Sequence, residues 1–326
     1  MQDPRRRRLL LALGAGLGAG LGAGLVGCAQ LPRAAPALVP GRPVAAAPGV
    51  YWVPGTGGAA DVRNLGRIGN AGFCVGARGV VAIDTGTSLA HGRALLAAIG
   101  RVTERPVLEA IVTHTRPEFL FGAGAFRERG IPVTMERRCA QLMAARCSNC
   151  LETLIEQVGA GPMAGTETYR PDREFDGDRA IDLGDRVLQL RYFGHSSGPG
   201  DVAVLDAQRG VLYAGGLLDV HRIPDIQDGD LPRWQQALAE LRRSGASVFV
   251  PGHGAAAGVA AIDAERRYLD ALQARARALV QASVSLLEVP DRSDLPAYRD
   301  WDQYDIIHRR NASVAYLRFE RELLFK

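Results

Sequence analysis

The chain has 326 residues, of which 47% are hydrophobic and 23% charged, as is ordinary for a globular protein. This length allows one large domain or two small ones. The formal net charge of +4 is modest, and four arginines form one run at residues 5–8. Because the remainder is near neutral and only 6% of residues are aromatic, composition gives no indication of nucleic-acid binding.

The first 28 residues are typical of an export signal. A basic run at residues 5–8 precedes an apolar stretch at 9–26, and the segment LVGC ends at Cys28. LVGC resembles the lipobox of bacterial lipoproteins. Residues 1–28 are therefore predicted to be a lipoprotein signal peptide, with Cys28 lipidated and the protein anchored to a bacterial membrane facing the periplasm. A permanent transmembrane anchor is the alternative, but the stretch is barely long enough and rich in glycine.

A segment rich in proline and alanine follows the signal. Residues 29–49 show no periodic apolar face and are predicted to be a tether. The domain is expected to occupy residues 50–326.

The order of apolar runs predicts an α/β or α+β fold. AGFCVG and GVVAIDTG form a predicted hairpin, Ser88 is placed to cap a helix, and VLEAIVTH is a further strand. Residues 135–158 have a helical pattern interrupted at CSNC. Three strands follow, then a helix with Pro232 at its start, a last strand SVFVPGHG and helices over 261–285 and 304–325.

If the chain is exported, its cysteines other than Cys28 lie in an oxidising compartment, where disulfides form and persist. The segment CSNC predicts a structural disulfide closing a small loop between Cys147 and Cys150, or with Cys139. A redox-active pair is the alternative.

Three of the six histidines, His114, His195 and His253, follow apolar strands directly or almost directly. Ligands collect at the carboxyl ends of strands in strand-helix folds. The three side chains are therefore expected to share one site.

The order of IDTG, THTRPEFLFG, FGHSSGPGD, VLYAGG and VPGHG resembles the metallo-β-lactamase superfamily, which implies a four-layer αββα sandwich. RIPDIQDGDLPRWQQAL and RCSNCL look more narrowly like quinoprotein relay system zinc metallohydrolases. That resemblance implies zinc as cofactor and a periplasmic quinoprotein dehydrogenase as partner. Asp84 of IDTG matches a family position from which it could orient a ligand histidine.

The resemblance also shows where the zinc motif His-x-His-x-Asp-His departs from the family. Its first histidine is His114, but the next positions hold Arg116, Glu118 and Phe119. The bridging aspartate falls on Gly216. His195 and His253 match the later ligand histidines.

Charge and ligand number argue against a normal pair of zinc ions. Structural zinc binding contributes about 10–16 kcal/mol, so each lost ligand costs on the order of 3 kcal/mol. Arg116 is permanently charged, and a guanidinium about 5 Å from a divalent ion is repelled by about 7 kcal/mol at an effective dielectric constant of about 20.

Three hypotheses remain open. In the first, the site is metal-free: Arg116 takes the cation's space, pairs with Glu118 and leaves a pocket for a small ligand. In the second, at most one zinc ion is held by His114, His195 and His253. Completed by Glu118, Asp219 or His221, that ion would activate a water for hydrolysis, with Glu118 as the tentative catalytic group. In the third, the protein is a structural or partner-binding lipoprotein.

Overall fold

The computed structural model of the protein describes residues 41–324. The predicted signal peptide, its Cys28 and residues 29–40 of the predicted tether lie outside the described residues. The sheet begins with strand β1 (Val44–Ala47), within the segment predicted as tether. The backbone of β1 pairs antiparallel with that of the next strand, so that Val44 stands opposite Trp52. The first sheet therefore includes residues before position 50, where the sequence predicted the domain to begin.

The strands form two sheets. The first has seven strands in chain order, β1 to β7, and the second has five, in the order β12-β11-β10-β9-β8. The remaining strands are β2 (Val50–Val53), β3 (Ala71–Val75), β4 (Val80–Ile83), β5 (Val107–Val112), β6 (Val133–Glu136), β7 (Arg173–Phe175), β8 (Arg179–Asp182), β9 (Val187–His195), β10 (Pro199–Asp206), β11 (Val211–Asp219) and β12 (Val248–His253).

The helices follow in the order that the sequence predicts. They are α1 (Leu89–Gly100), α2 (Ala123–Arg127), α3 (Arg137–Val158), α4 (Leu231–Arg242), α5 (Val259–Gln281), α6 (Val289–Arg292) and α7 (Arg309–Leu324). A π-helical turn at Tyr304–His308 leads into α7.

Three apolar cores separate four layers. One core lies between the two sheets and includes Cys74, Leu190 and Tyr213. The second packs α1, α2 and α3 on the first sheet, and the third packs α4, α5 and α7 on the second. The αββα sandwich expected from the sequence is confirmed. Within residues 41–324, no helix is long and apolar enough to cross a membrane.

Local signals in the sequence also match the structure. Strands β3 and β4 form the predicted antiparallel hairpin. Ser88 caps α1, its hydroxyl accepting a hydrogen bond from the backbone N–H of His91. Pro232 lies in the first turn of α4, where its missing N–H costs nothing.

Helix α3 runs through CSNC without interruption, contrary to the prediction. The stripe Cys139, Met143 and Cys147 is buried in the core under the first sheet, and this packing outweighs the weak helix propensity of serine and asparagine. CSNC therefore does not form the small loop that the sequence predicted. The four cysteines that the structure describes, including Cys150, are free thiols, so the predicted structural disulfide is absent.

Candidate functional site

The carboxyl ends of three strands bring the candidate residues together. His114 follows β5, while Asp219 ends β11 and His253 ends β12. Because β11 and β12 pair in parallel, Asp219 and His253 are register partners. A short 3₁₀ turn after β5, Pro117–Phe119, adds Glu118 and Phe119 to the same region.

A chain of hydrogen-bonded charges occupies this region. His253 donates from Nδ1 to Oδ1 of Asp219 at 2.7 Å and from Nε2 to Oε1 of Glu118 at 3.0 Å. Arg116 donates from Nη1 to Oδ2 of Asp219 at 3.0 Å. Arg116 therefore pairs with Asp219, and the expected Arg116–Glu118 pair is replaced by Glu118–His253.

The protonation states follow from these contacts. Burial favours a neutral His253, but Asp219 and Glu118 outweigh it and raise the pKa of the imidazole. For Glu118 burial likewise opposes ionisation, yet His253 and Arg116 lower the pKa of the carboxyl to about 2. The pKa of Asp219 is also lowered, against burial, by Arg116 and His253. Two cations and two anions cancel, so the cluster is neutral without a metal.

Phe119 fills the space between the two histidine rings. Its ring centroid lies 4.4 Å from that of His114 and 5.2 Å from that of His253, and the residue is fully buried. A Cβ on Gly69 would lie 2.4 Å from the far ring carbon, so only glycine fits beside the ring. An aromatic ring thus occupies the position to which the family resemblance assigns a ligand histidine.

His114 is held as a neutral imidazole. Its Nδ1 lies 2.7 Å from the hydroxyl of Thr113, and that hydroxyl also contacts both carboxylate oxygens of Asp84 at 3.0 Å. Burial and then the charge of Arg116 lower the pKa of His114 to about 3. In the hydrogen-bond network Thr113 donates to Asp84 and accepts from Nδ1–H, which leaves Nε2 unprotonated. Within the described chain this buried Nε2 has no hydrogen-bond partner.

Asp84 therefore orients His114, as the family position suggested, but it does so through Thr113. Asp84 itself has φ of 58°, and burial raises the pKa of its carboxyl to about 7 against the hydrogen bonds from Thr113. The left-handed backbone turns the carboxylate back toward the end of β5.

Two predicted ligands lie elsewhere. His195 is exposed, and its Nε2 donates to the backbone oxygen of Asp228 at 2.6 Å. Gly194, which precedes His195, has φ of 71°. The register between β9 and β10 shifts at this point, and the resulting bulge changes the direction of the following side chain. His221 is also exposed and packs edge-on against Trp301 at 6.2 Å. Of the three histidines predicted to share one site, the structure brings His114 and His253 together, while His195 bonds the Asp228 loop instead.

Two buried acids that the sequence analysis missed support the site. Asp201 Oδ2 accepts from the backbone N–H groups of Ser197 at 2.5 Å and Gly198 at 3.0 Å, while burial raises its pKa to about 6. Glu265 on α5 accepts from the backbone N–H of Asp219 at 2.6 Å. In the sequence, only the position of Glu265 among the apolar residues of a helix could have indicated that its carboxyl group is buried.

The described side chains do not fit a metal ion. Both nitrogens of His253 are engaged by carboxylates, and the carboxylates are themselves paired with cations. Phe119 has no lone pair to offer. Across residues 41–324, no group of three or more His, Cys, Asp or Glu side chains is arranged to hold a metal. Four-coordinate zinc requires at least three such ligands from a protein.

Known structures share this architecture. A metallo-beta-lactamase from Pontibacter korlensis is 23% identical, with 62% of this chain and 87% of that chain covered at a TM-score of 0.53. The inverting sec-alkylsulfatase Pisa1 from Pseudomonas sp. is 17% identical, with 86% of this chain and 50% of that chain covered at 0.64. DIM-1 metallo-beta-lactamase is 15% identical, with 72% and 98% covered at 0.57. At these identities the likeness shows the fold alone.

The family assignment comes from the sequence itself. Curated proteins give no match to this chain. The model of the metallo-beta-lactamase superfamily matches residues 65–253, which is more than half of the chain. That span includes β3 to β12 and every residue of the charged cluster. The chain belongs to the metallo-beta-lactamase superfamily.

Proposed function

We propose that this chain is a binding protein of the superfamily in which internal ion pairs have replaced the metal centre. The observation that carries the proposal is the chain of contacts Arg116–Asp219–His253–Glu118. Its charges balance internally, and a divalent cation placed there would have to displace a guanidinium. Hydrolysis through a metal-activated water is therefore not the chemistry that these residues favour.

Unpartnered polar atoms next to the cluster support a small, polar ligand. Arg116 Nη2, His114 Nε2 and Asp201 Oδ1 are buried, and none has a hydrogen-bond partner in the described part of the chain. A buried polar atom without a partner costs about 1–3 kcal/mol, which a ligand or water would recover. A Cβ on Gly216 would meet the His114 ring at 2.7 Å and the Ser197 hydroxyl at 2.8 Å, and the backbone N–H of Ser197 donates to Asp201, so His114 and Asp201 lie on the same side of the cluster.

The space beside Glu118 also favours a small ligand. A cavity of about 40 Å³ is lined there by Arg67, Thr85, His91 and Glu118, among other residues. A water molecule needs roughly 10–15 Å³ by this measure, so the cavity has room for a few waters or a small ion. Arg67 lines this cavity, and Arg116 Nη2 is left unpartnered in the adjoining charged cluster, so we propose a small oxyanion or carboxylate as the ligand class.

Metal analysis and anion titration test the proposal together. The full chain is purified without chelator, its zinc content is measured, and thermal unfolding is followed with phosphate, sulfate, acetate and succinate. We expect less than about 0.1 equivalent of zinc and stabilisation by at least one anion. Arg116→Met should weaken that anion about tenfold or more, since a charged hydrogen bond contributes about 1.5–3 kcal/mol. Near-stoichiometric zinc with metal-dependent turnover would overturn the proposal.

A mono-zinc hydrolase is the second candidate, and one feature favours it. Nε2 of His114 is an open lone pair whose partner Nδ1 is fixed by Thr113, an arrangement typical of metal-binding histidines. Adding micromolar zinc to the chelator-free protein separates the two candidates. Uptake of about one equivalent that His114→Ala abolishes would favour the hydrolase.

For location, we propose export and lipid anchoring at Cys28, with a periplasmic quinoprotein dehydrogenase as partner. Support comes from the basic, apolar and LVGC segments of residues 1–28 and from the resemblance of RCSNCL and RIPDIQDGDLPRWQQAL to relay proteins. Mass spectrometry of the mature N-terminus tests the anchor. A diacylated cysteine is expected, and Cys28→Ala should release the protein from the membrane fraction.

A further inference from the structure

Two thiols on α3 lie one helical turn apart, outside the charged cluster. Because α3 is continuous, helix geometry puts the Cα atoms of Cys147 and Cys150 about 5 Å apart. Disulfides span Cα separations of about 4.4–6.8 Å, and the Cβ atoms of residues three apart on a helix lie about 5–6 Å apart, so a local change in α3 of about 1 Å brings the pair into bonding range. The thiol of Cys150 donates to the backbone oxygen of Arg146 at 3.5 Å, and the neighbouring thiol of Cys147 acts on its ionisation.

The two cysteines differ in accessibility. Cys147 is 3% exposed and packs in the core under the first sheet with Met143, whereas Cys150 is only partly buried. A reagent from solvent therefore reaches the thiol of Cys150 before that of Cys147. This is the arrangement of an attacking and a resolving cysteine.

The surroundings of Cys150 favour its thiolate. The neighbouring thiol of Cys147, which can donate to the thiolate, is the main cause that lowers the pKa of Cys150 to about 7; burial and Asp228 oppose it, and Arg146 assists. The guanidinium of Arg146 is fixed by Asp228 at 2.5 Å. For Cys147, the hydrogen bond to Cys150 and burial both raise the pKa, so it stays protonated until a mixed disulfide forms.

We propose that Cys147 and Cys150 are a redox-active pair that exchanges with an external disulfide. The thiolate of Cys150 attacks one sulfur of that disulfide, forms a mixed disulfide and releases one thiolate. Cys147 then loses its proton and attacks the sulfur of Cys150, which forms the internal disulfide and releases the second thiolate. Two electrons pass from the pair to the external disulfide, and the reverse sequence reduces the pair again. This activity is independent of the proposed anion binding.

A cavity beside the pair gives room for the disulfide's substituent. It measures about 350 Å³ and is lined by Cys147 and Ser148 together with apolar groups, among them Phe121, Met143 and Tyr169. Of the two cysteines, Cys147 lines this cavity, and the wall also includes the polar Thr168 and Arg170, so the cavity suits a polypeptide side chain of mixed polarity. Glutathione disulfide carries the same reactive group, so both sources enter the test.

The experiment uses the full chain equilibrated in graded mixtures of reduced and oxidised glutathione, then acid-quenched, alkylated and mapped by mass spectrometry. We expect a Cys147–Cys150 disulfide that forms and is reduced again reversibly. At pH 7, Cys150 should alkylate about tenfold faster than a cysteine of the unfolded chain because more of it is thiolate. A pair that stays fully reduced, or a disulfide that reduced glutathione cannot reopen, would overturn the proposal without any variant.

Single substitutions then assign the roles. Cys147→Ala should trap a mixed disulfide on Cys150, while Cys150→Ala should trap none, and the buried Cys74→Ala serves as matched control. Faster trapping with native insulin, whose chains are joined by disulfides, than with glutathione disulfide identifies a polypeptide partner; the opposite order identifies the small disulfide. Failure of a folded Cys147→Ala protein to trap either one contradicts the proposal. An intact redox pair in a protein that binds no anion would sink only the proposed function.

Discussion

Asp219 and His253 stand opposite each other in the parallel pairing of β11 with β12, and a 2.7 Å hydrogen bond joins Oδ1 to Nδ1. Both side chains are almost fully buried. The carboxylate also accepts a hydrogen bond from Arg116, so Asp219 contacts both cations of the cluster. Its removal is the sharpest test of how the cluster is held.

Asp219→Asn should destabilise the protein by about 3–5 kcal/mol, because His253 and Arg116 would remain buried without their counter-charge. Urea denaturation followed by circular dichroism at pH 7 measures the change. Asp228→Asn is the matched control, since it breaks the exposed Arg146–Asp228 pair and should cost no more than about 1 kcal/mol. Equal losses in the two variants would contradict the buried cluster.

A double substitution, Arg116→His with Phe119→His, should raise zinc content toward one equivalent. It removes the competing guanidinium and places imidazole nitrogens where the family resemblance implies ligands. Elemental analysis of folded protein after zinc addition gives the result. Arg116→Ala with Phe119→Ala creates similar space without donors and should stay metal-free. A folded double-histidine variant that takes up no zinc counts against an eroded metal site.

His91 provides a pH-dependence test outside the cluster. Burial, followed by the charge of Arg67, lowers the pKa of His91 to about 4. A depressed histidine pKa means that the unfolded chain binds the proton first, so its contribution to stability is complete above about pH 6.5 and is lost as pH falls toward 4. The unfolding free energy of wild type should therefore decline relative to His91→Gln by about 2–3 kcal/mol over this window.

Urea titrations of both proteins at several pH values between 7 and 4.5 supply the measurement. The difference between the two proteins is informative because buried acids common to both, such as Asp84 and Asp201, cancel in it. A difference independent of pH would mean that His91 protonates as easily in the folded protein as in the unfolded chain.

His195→Ala should leave stability within about 0.5 kcal/mol of wild type, because the side chain is exposed and bonds only a loop carbonyl. His253→Ala should cost about 3 kcal/mol or more, since Asp219 and Glu118 would lose the cation between them. His253→Ala should also lower the affinity for the anion more than His195→Ala does. If His195→Ala proved as damaging as His253→Ala, the outward position of His195 would be wrong.

The sequence was informative where apolar runs end in polar residues. Runs such as VLEAIVTH and SVFVPGH predicted both the strands and the strand ends at which His114, from the first sheet, and His253, from the second, meet. Chain order does not determine which way a strand-end side chain points. For His195 a bulge after Gly194 decides the direction, and no residue type in FGHSSG encodes that outcome uniquely.

Charge pairing was predicted less well than strand position. Arg116 stands two residues from Glu118 but pairs with Asp219, which is distant in sequence and near only because β5 and β11 end together. In the same way, the break expected at CSNC followed local propensity, while the burial of Cys139 and Cys147 keeps α3 intact. Long-range packing decided both cases, and a single sequence does not show it.

The pairing of β11 with β12 bears on how such a centre changes over generations. Main-chain bonds place positions 219 and 253 side by side whatever groups they carry, so replacements at 116 and 119 leave the frame intact. A few point substitutions on the same fold can thus replace metal coordination by internal ion pairs, and a few more can restore metal coordination.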